Sequence, residues 1–203
     1  IPLVIQAGFM NSGQACVAGT RILVPQSRKA EIETALAQAV AAVKSGDPRD
    51  SATDVGPMVS EKQWLRVQGY IRKGIEEGAR LLAGGEGRPD GTQEGWFVRP
   101  TLFADVNNRM TIARDEIFGP VLCVIPYQDE AEAIAIANDT EYGLSAMVLG
   151  ADVDRARRVA QQIVSGRVLV NTLAHEPKAP FGGFKHSGVG REMGEWGIRA
   201  FME

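Results

Sequence analysis

The stretch Val121–Leu149, VLCVIPYQDEAEAIAIANDTEYGLSAMVL, decides the fold. Its opening run, Val121–Tyr127, is apolar, rich in β-branched residues and of strand length, and it is closed by polar Gln128 and Asp129, so it reads as a strand. Asp129, with Glu132 three residues on, marks the start of a helix that runs to about Asn138. Leu144–Leu149 then returns to strand. A strand, a helix and a second strand at this spacing form a βαβ unit, which a right-handed crossover folds into parallel pairing.

The pattern continues in both directions. Asp152 starts a helix reaching Val164, and Arg167–Val170 is a strand. Upstream, Arg28–Lys44 places Ile32, Ala35, Leu36, Ala39, Val40 and Val43 at three-four spacing on one helical face, with Ser27 available as a cap. Ser45–Pro57 contains Pro48 and Pro57, each lacking an amide proton and restricting its predecessor, and is therefore a loop. Ser60 and Gln63 form a capping box ahead of a helix whose inward face is Trp64, Val67, Ile71 and Ile75 and which stops at Gly78. Strand-like Ala79–Gly84 follows, then a strand from Trp96 to Phe103. The RDEIFGP loop lies between that strand and Val121.

This alternation predicts an α/β fold: an open, largely parallel sheet flanked by helices, as a single domain over residues 1–203. Residues 171–203 form a glycine-rich connecting tail, and the aperiodic part from Asn171 to Arg191 is too long for a plain connector.

Composition narrows the function. The 203 residues are 44% apolar and 23% charged, as expected of a chain with a packed core, and the net charge of −3 comes from interspersed signs. A main affinity for nucleic acid or an anionic membrane face is therefore not expected. No apolar run approaches the roughly 20 residues of a spanning helix; the longest, Ile1–Ile5 and Val121–Ile125, are of strand length. Two cysteines, Cys16 and Cys123, make neither a disulfide framework nor a paired metal-ligand spacing, which fits a reducing, cytoplasmic setting. The opening IPLVIQAGFM begins with Ile and has no secretory pattern, so the sequence reads as an excised piece of a longer chain.

Cys16 sits in NSGQACVAGTR between Gly13 and Gly19, which permit close backbone approach of a ligand. Such a thiol suits a nucleophile, although a working cysteine needs activation by a base or by oriented amides. A small buried hydrophobe is the alternative reading. Cys123, inside VLCVIPY, reads as core. His175 and His186 are the only imidazoles, and a cysteine hydrolase pairing Cys16 with His175 is compatible with the content. Glu116 and Phe118 stand two apart, so a carboxylate for sugar hydroxyls beside an aromatic face for a flat ring is one reading. A solvated Glu beside a core Phe is the other. Gly188, Gly190 and Gly194 imitate a dinucleotide fingerprint without the strand, helix and distal acid that it requires.

Together, NSGQAC around Cys16, DEIFGPV around Glu116 and PFGGFKHSGVGRE over Pro180–Glu192 resemble, in order and separation, three motif blocks of the aldehyde dehydrogenase superfamily. The resemblance extends over essentially the whole chain and implies its catalytic, carboxyl-terminal portion. It implies that Cys16 attacks an aldehyde, giving a thiohemiacetal, that a hydride passes to NAD or NADP, and that water releases the resulting thioester as a carboxylic acid. An acylating enzyme using coenzyme A is the alternative within the superfamily. By the same resemblance Glu116 holds the ribose hydroxyls beside nicotinamide and Phe118 lies against its face, while the PFGG block is structural. A full-length member carries an amino-terminal cofactor domain with the glycine-rich segment, the glutamate general base and the asparagine of the oxyanion hole, and forms a homo-oligomer. The cofactor domain is thus an expected partner, and the piece alone is expected to be inactive as a dehydrogenase. TLAHEPKA, Thr172–Ala179, lacks the aromatic residue that many relatives place in the aldehyde tunnel, leaving the substrate open.

Overall fold

The computed structural model describes residues 1–92 and 94–202. The chain divides into two compact units, Ile1–Asp129 and Glu130–Glu203, each with its own strands.

In the first unit the order is α1 (Pro2–Phe9), β1 (Arg21–Pro25), α2 (Lys29–Ala41), α3 (Glu61–Glu76), β2 (Arg80–Ala83), β3 (Thr101–Ala104), a single turn α4 (Thr111–Arg114) and β4 (Val121–Tyr127). One four-stranded sheet, in the order β1-β4-β3-β2, holds the unit together. β4 pairs in parallel with β1 and β3, whereas β2 runs antiparallel at the edge. Val121–Ile125 and Thr101–Ala104 are wholly buried, as expected of inner strands with both faces covered. Their period of two divides two packing faces. Leu102, Leu122 and Val124 join Val24 of β1 with Phe9, Leu36 and Val40 in one core, and Val4 and Ile5 of α1 pack against it. On the other parity, the Cys123 thiol donates to the Ile112 carbonyl of α4 at 3.4 Å, and a Cβ on Gly74 of α3 would lie 3.1 Å from the Phe103 ring.

The second unit contains α5 (Glu130–Asn138), β5 (Tyr142–Gly143), β6 (Ser145–Val148), α6 (Val153–Ala160), β7 (Arg167–Val170), β8 (Phe184–Lys185) and α7 (Gly194–Arg199). β6 and β7 pair in parallel across α6 as a βαβ unit, whereas β4 and β6, the pair expected across α5, belong to different sheets; the Asp152 side chain caps α6 by accepting from the Arg155 amide. β5 and β8 form a separate antiparallel ribbon. The α/β class with largely parallel pairing flanked by helices is as expected; within it the strands fall into three hydrogen-bonded sheets rather than one layer.

Local differences have local causes. The Ile1–Ile5 run, although of strand length, lies within α1 and its N-cap, since Pro2 occupies the first helical turn, where its missing amide proton is tolerated. Ser27 does not cap α2: it falls inside a short 3₁₀ turn, Gln26–Arg28, that follows Pro25. The strand expected from Trp96 shrinks to Thr101–Ala104, and α6 ends at Ala160 rather than Val164. Ser60 does cap α3 by accepting from the Gln63 amide, but the Gln63 side chain does not close a reciprocal box. It reaches a different loop.

Candidate active site

β1 and β4 run side by side with Arg21 opposite Cys123. The loop before β1 carries Cys16, and the loop before β4 carries Glu116 and Phe118, so both motifs emerge at the amino-terminal end of one parallel strand pair. In open α/β sheets ligands usually bind outside the carboxyl ends of the strands. Here the chemistry-bearing loops lie opposite that rule.

The two loops touch. Asn11, Ser12 and Gly13 follow one another in left-handed backbone conformation, with φ of 49°, 60° and 72°. This coil brings Gly13 so close to the other loop that an added Cβ would lie 2.2 Å from the Gly119 carbonyl oxygen. Glycine is therefore required at 13 by both backbone angle and space. Beyond the coil, Cys16 is exposed and its thiol is free. The Cys16 amide donates to no carbonyl among the described residues. Cys123 is the opposite case: it is buried, and desolvation pushes its thiol up to about 12. Of the two sulfurs only Cys16 is presented for reaction.

Glu116 is exposed, and its carboxylate has no hydrogen-bond or ion-pair partner among the described residues. Phe118 is half-buried and has φ of +59°, a conformation that strains a bulky residue by about 1–3 kcal/mol unless its surroundings hold it. They do. Gln63 Nε2 donates to the carbonyls of Ile117 (3.1 Å) and Phe118 (2.8 Å), and Arg66 Nη2 donates to the Glu116 carbonyl (2.7 Å). Buried Val67 abuts Gly119, where an added Cβ would come within 2.5 Å of Val67 Cγ2. Tyr70 donates to Asp115 Oδ2 at 3.0 Å. Residues 63, 66, 67 and 70 form one stripe of α3 that fastens the loop from Asp115 to Gly119.

This support was missed in the sequence. The sequence assigns Gln63 to a capping box, and Arg66 and Tyr70 carry no assignment in it. Their spacing, on the flank of the Val67 and Ile71 face, was the available signal. Both histidines belong to the second unit. His175 Nδ1 is 3.4 Å from Arg167 Nη1 and its Nε2 is 3.0 Å from Met193 Sδ, while His186 faces Glu141 at 3.4 Å. Among the described residues no group of three or more His, Cys, Asp or Glu is placed to hold a metal ion. No helix among them is long and apolar enough to cross a membrane.

The model of the aldehyde dehydrogenase family matches residues 1–203, and the chain belongs to that family. A Staphylococcus haemolyticus protein that carries the aldehyde dehydrogenase name is 53% identical over 193 residues, covering 95% of this chain and 41% of the relative. Among solved structures, a cysteine-to-alanine variant of aldehyde dehydrogenase C from Pseudomonas syringae, in complex with NAD+ and octanal, superposes with a TM-score of 0.97 at 48% identity. It covers 100% of this chain and 42% of that one. An aldehyde dehydrogenase of Mycobacterium tuberculosis complexed with NAD+ gives a TM-score of 0.97 at 54% identity, covering 99% and 41%. The chain thus spans about two fifths of the length of these relatives.

Proposed function

We propose that this chain supplies the nucleophile and the nicotinamide-holding residues of an NAD(P)-dependent aldehyde dehydrogenase, with Cys16 as the nucleophile and Glu116 and Phe118 as the cofactor contacts. The observation that carries this reading is the seam between Gly13 and Gly119, which seats an exposed thiol loop against a turn bearing a free carboxylate and a half-buried ring. The crystallised complexes of the two solved relatives with NAD+ support it, as does octanal in one of them.

The residues present fit the nicotinamide riboside end of the cofactor. Carboxylate oxygens accept two vicinal hydroxyls, and an aromatic face suits a flat cationic ring. When bound, NAD or NADP supplies the hydride acceptor.

This chain's own part begins with the Cys16 thiolate. Its sulfur forms a bond to the aldehyde carbon, and the carbonyl π pair moves to oxygen, giving a tetrahedral thiohemiacetal anion. The Cys16 amide, aimed at no carbonyl of its own, is the local donor for that oxygen. One such donor typically contributes about 100- to 1000-fold in rate. Collapse of the anion with loss of hydride leaves an acyl thioester on Cys16, activated for attack by water, which releases the acid and restores the thiol. Coenzyme A in place of water would make the enzyme an acylating one. Glu116 and Phe118 fix the acceptor ring, since hydride transfer requires near-attack geometry.

In the family the general base, the second oxyanion donor and the phosphate-binding segment come from an amino-terminal cofactor domain, so the 203 residues by themselves are expected to form no NADH. A thiol that must stay reduced suits a reducing, cytoplasmic compartment, and the parent protein is expected to be a homo-oligomer. The test is NADH formation from NAD and a panel of aldehydes by the complete protein and by its Cys16→Ser variant. The reading requires turnover in the first and none in the second.

A further inference from the structure

Both site loops hang from one short segment. Ser12 Oγ donates to the Gly56 carbonyl at 3.1 Å and accepts from the Gly56 amide at 3.0 Å. Gln14 Oε1 accepts from the Val59 amide at 2.9 Å, and Gln14 Nε2 is 3.4 Å from the Pro57 carbonyl. A few residues further on, the Gln63 side-chain amide donates to two consecutive carbonyls of the Glu116–Phe118 turn. The segment is itself held: Val55, just before it, and Met58 within it are buried, the Met58 amide donates to the Trp96 carbonyl at 2.9 Å, and Ser60 caps α3.

We propose that residues 56–63 act as a brace that sets the thiol loop and the Glu116–Phe118 turn in fixed register, with Gln14 and Gln63 as its positioning residues. The inference rests on the functional reading given above. Neither glutamine acts on substrate. Gln14 sets where the coil ahead of Cys16 sits, and Gln63 holds the left-handed backbone of Phe118, so together they fix the separation of sulfur and nicotinamide plane. Gln63→Glu tests this most directly, because it keeps shape but replaces two donated bonds with an anion facing two carbonyl oxygens. Gln63→Ala is the milder variant, and Gln14→Glu addresses the other anchor.

In the complete protein, a loosening of about 1 Å predicts a kcat about 100-fold lower for Gln63→Glu, with the aldehyde KM within about threefold of the parent value. Two further readouts separate positioning from plain instability. One is hydrogen exchange at the Gly119 amide, expected to accelerate in the Gln63 variants while the α2 amides do not change. The other is iodoacetamide alkylation of Cys16 with and without NAD. In the parent, a nicotinamide seated on Phe118 slows alkylation; in Gln63→Glu and Gln14→Glu that protection is lost, whereas the rate without NAD stays within about twofold. Variants that keep full NAD protection and parental kcat, or that lose activity only in proportion to loss of folded protein, overturn the brace alone. A parent thiol indifferent to NAD, together with NADH formation by Cys16→Ser, overturns the functional reading and the brace with it.

Discussion

Gly13 and Gly119 meet backbone against backbone, with the place of a missing Gly13 Cβ only 2.2 Å from the Gly119 carbonyl oxygen. At φ of +72° an L side chain at 13 is strained even before the collision. Gly13→Ala is therefore expected to destabilise the protein by more than about 2 kcal/mol, well beyond an ordinary surface substitution. Urea unfolding measures it; a midpoint equal to the parent's would mean that the two loops do not touch.

The two sulfurs give opposite expectations. Burial pushes the Cys123 thiol up to about 12, and Cys16 is exposed. At pH 8 in the native state iodoacetamide should modify Cys16 and spare Cys123, as read by peptide mass. Equal labelling would remove the basis for choosing Cys16.

Glu116→Gln keeps an acceptor but removes the charge. A hydrogen bond to a charged group contributes about 1.5–3 kcal/mol, so the KM for NAD should rise by about 10- to 100-fold. Thermal stability should be unchanged, because the carboxylate has no partner to lose among the described residues. An unaltered KM would return Glu116 to the role of a solvated acid.

His175→Ala separates oxidation from hydrolase chemistry. The His175 ring contacts Arg167 and Met193, and no role in aldehyde oxidation is assigned to it. Its loss should leave NADH formation within about threefold of the parent, in line with a surface substitution. Ester turnover that vanishes with His175→Ala would instead favour a cysteine hydrolase.

An ionic cluster on the first unit sets a pH dependence of stability. Arg80 bonds Glu33 Oε2 at 2.7 Å and Asp105 Oδ2 at 2.6 Å, and Lys29 also pairs with Asp105. The Lys29 hydrogen bond, seconded by Arg80, holds the Asp105 carboxyl below its usual range. A lowered acid pKa stabilises the fold above the unfolded value near ~3.9 and loses that contribution as pH falls through the folded value. Asp105→Asn should therefore be less stable than the parent at pH 7, and the gap should close below about pH 4. Lys29, raised by the same bond, contributes up to its unfolded value near ~10.4 and fades as pH rises beyond it. A gap that is constant from pH 3 to 7 would show that the cluster does not act through Asp105.

What could be read in the sequence was whatever one element decides alone. Val121–Tyr127 and Arg167–Val170 match their strands residue for residue; the first writes a continuous apolar run because Val121–Ile125 are buried, and the second is a short, half-buried run set off by Gly166 and Asn171. Ser60 and Asp152 cap their helices as spacing predicts, since capping is local. The failures were tertiary. Whether β6 and β7 join the sheet of β4 depends on distant partners that periodicity does not encode, and the Gln63 side chain left its own helix for carbonyls some 54 residues away. Cys16, Glu116 and Phe118 were recognisable as motifs, but that their loops meet through two glycines is visible only once β1 and β4 lie side by side.

The positive φ of Phe118 sets robustness and chemistry against each other at a single position. Glycine there would relieve the left-handed backbone but would give up a half-buried ring and loosen the unfolded chain, so the strain is not shed without a loss elsewhere. Any substitution that eases the backbone at 118 thus also removes the aromatic face on which the proposed nicotinamide contact depends.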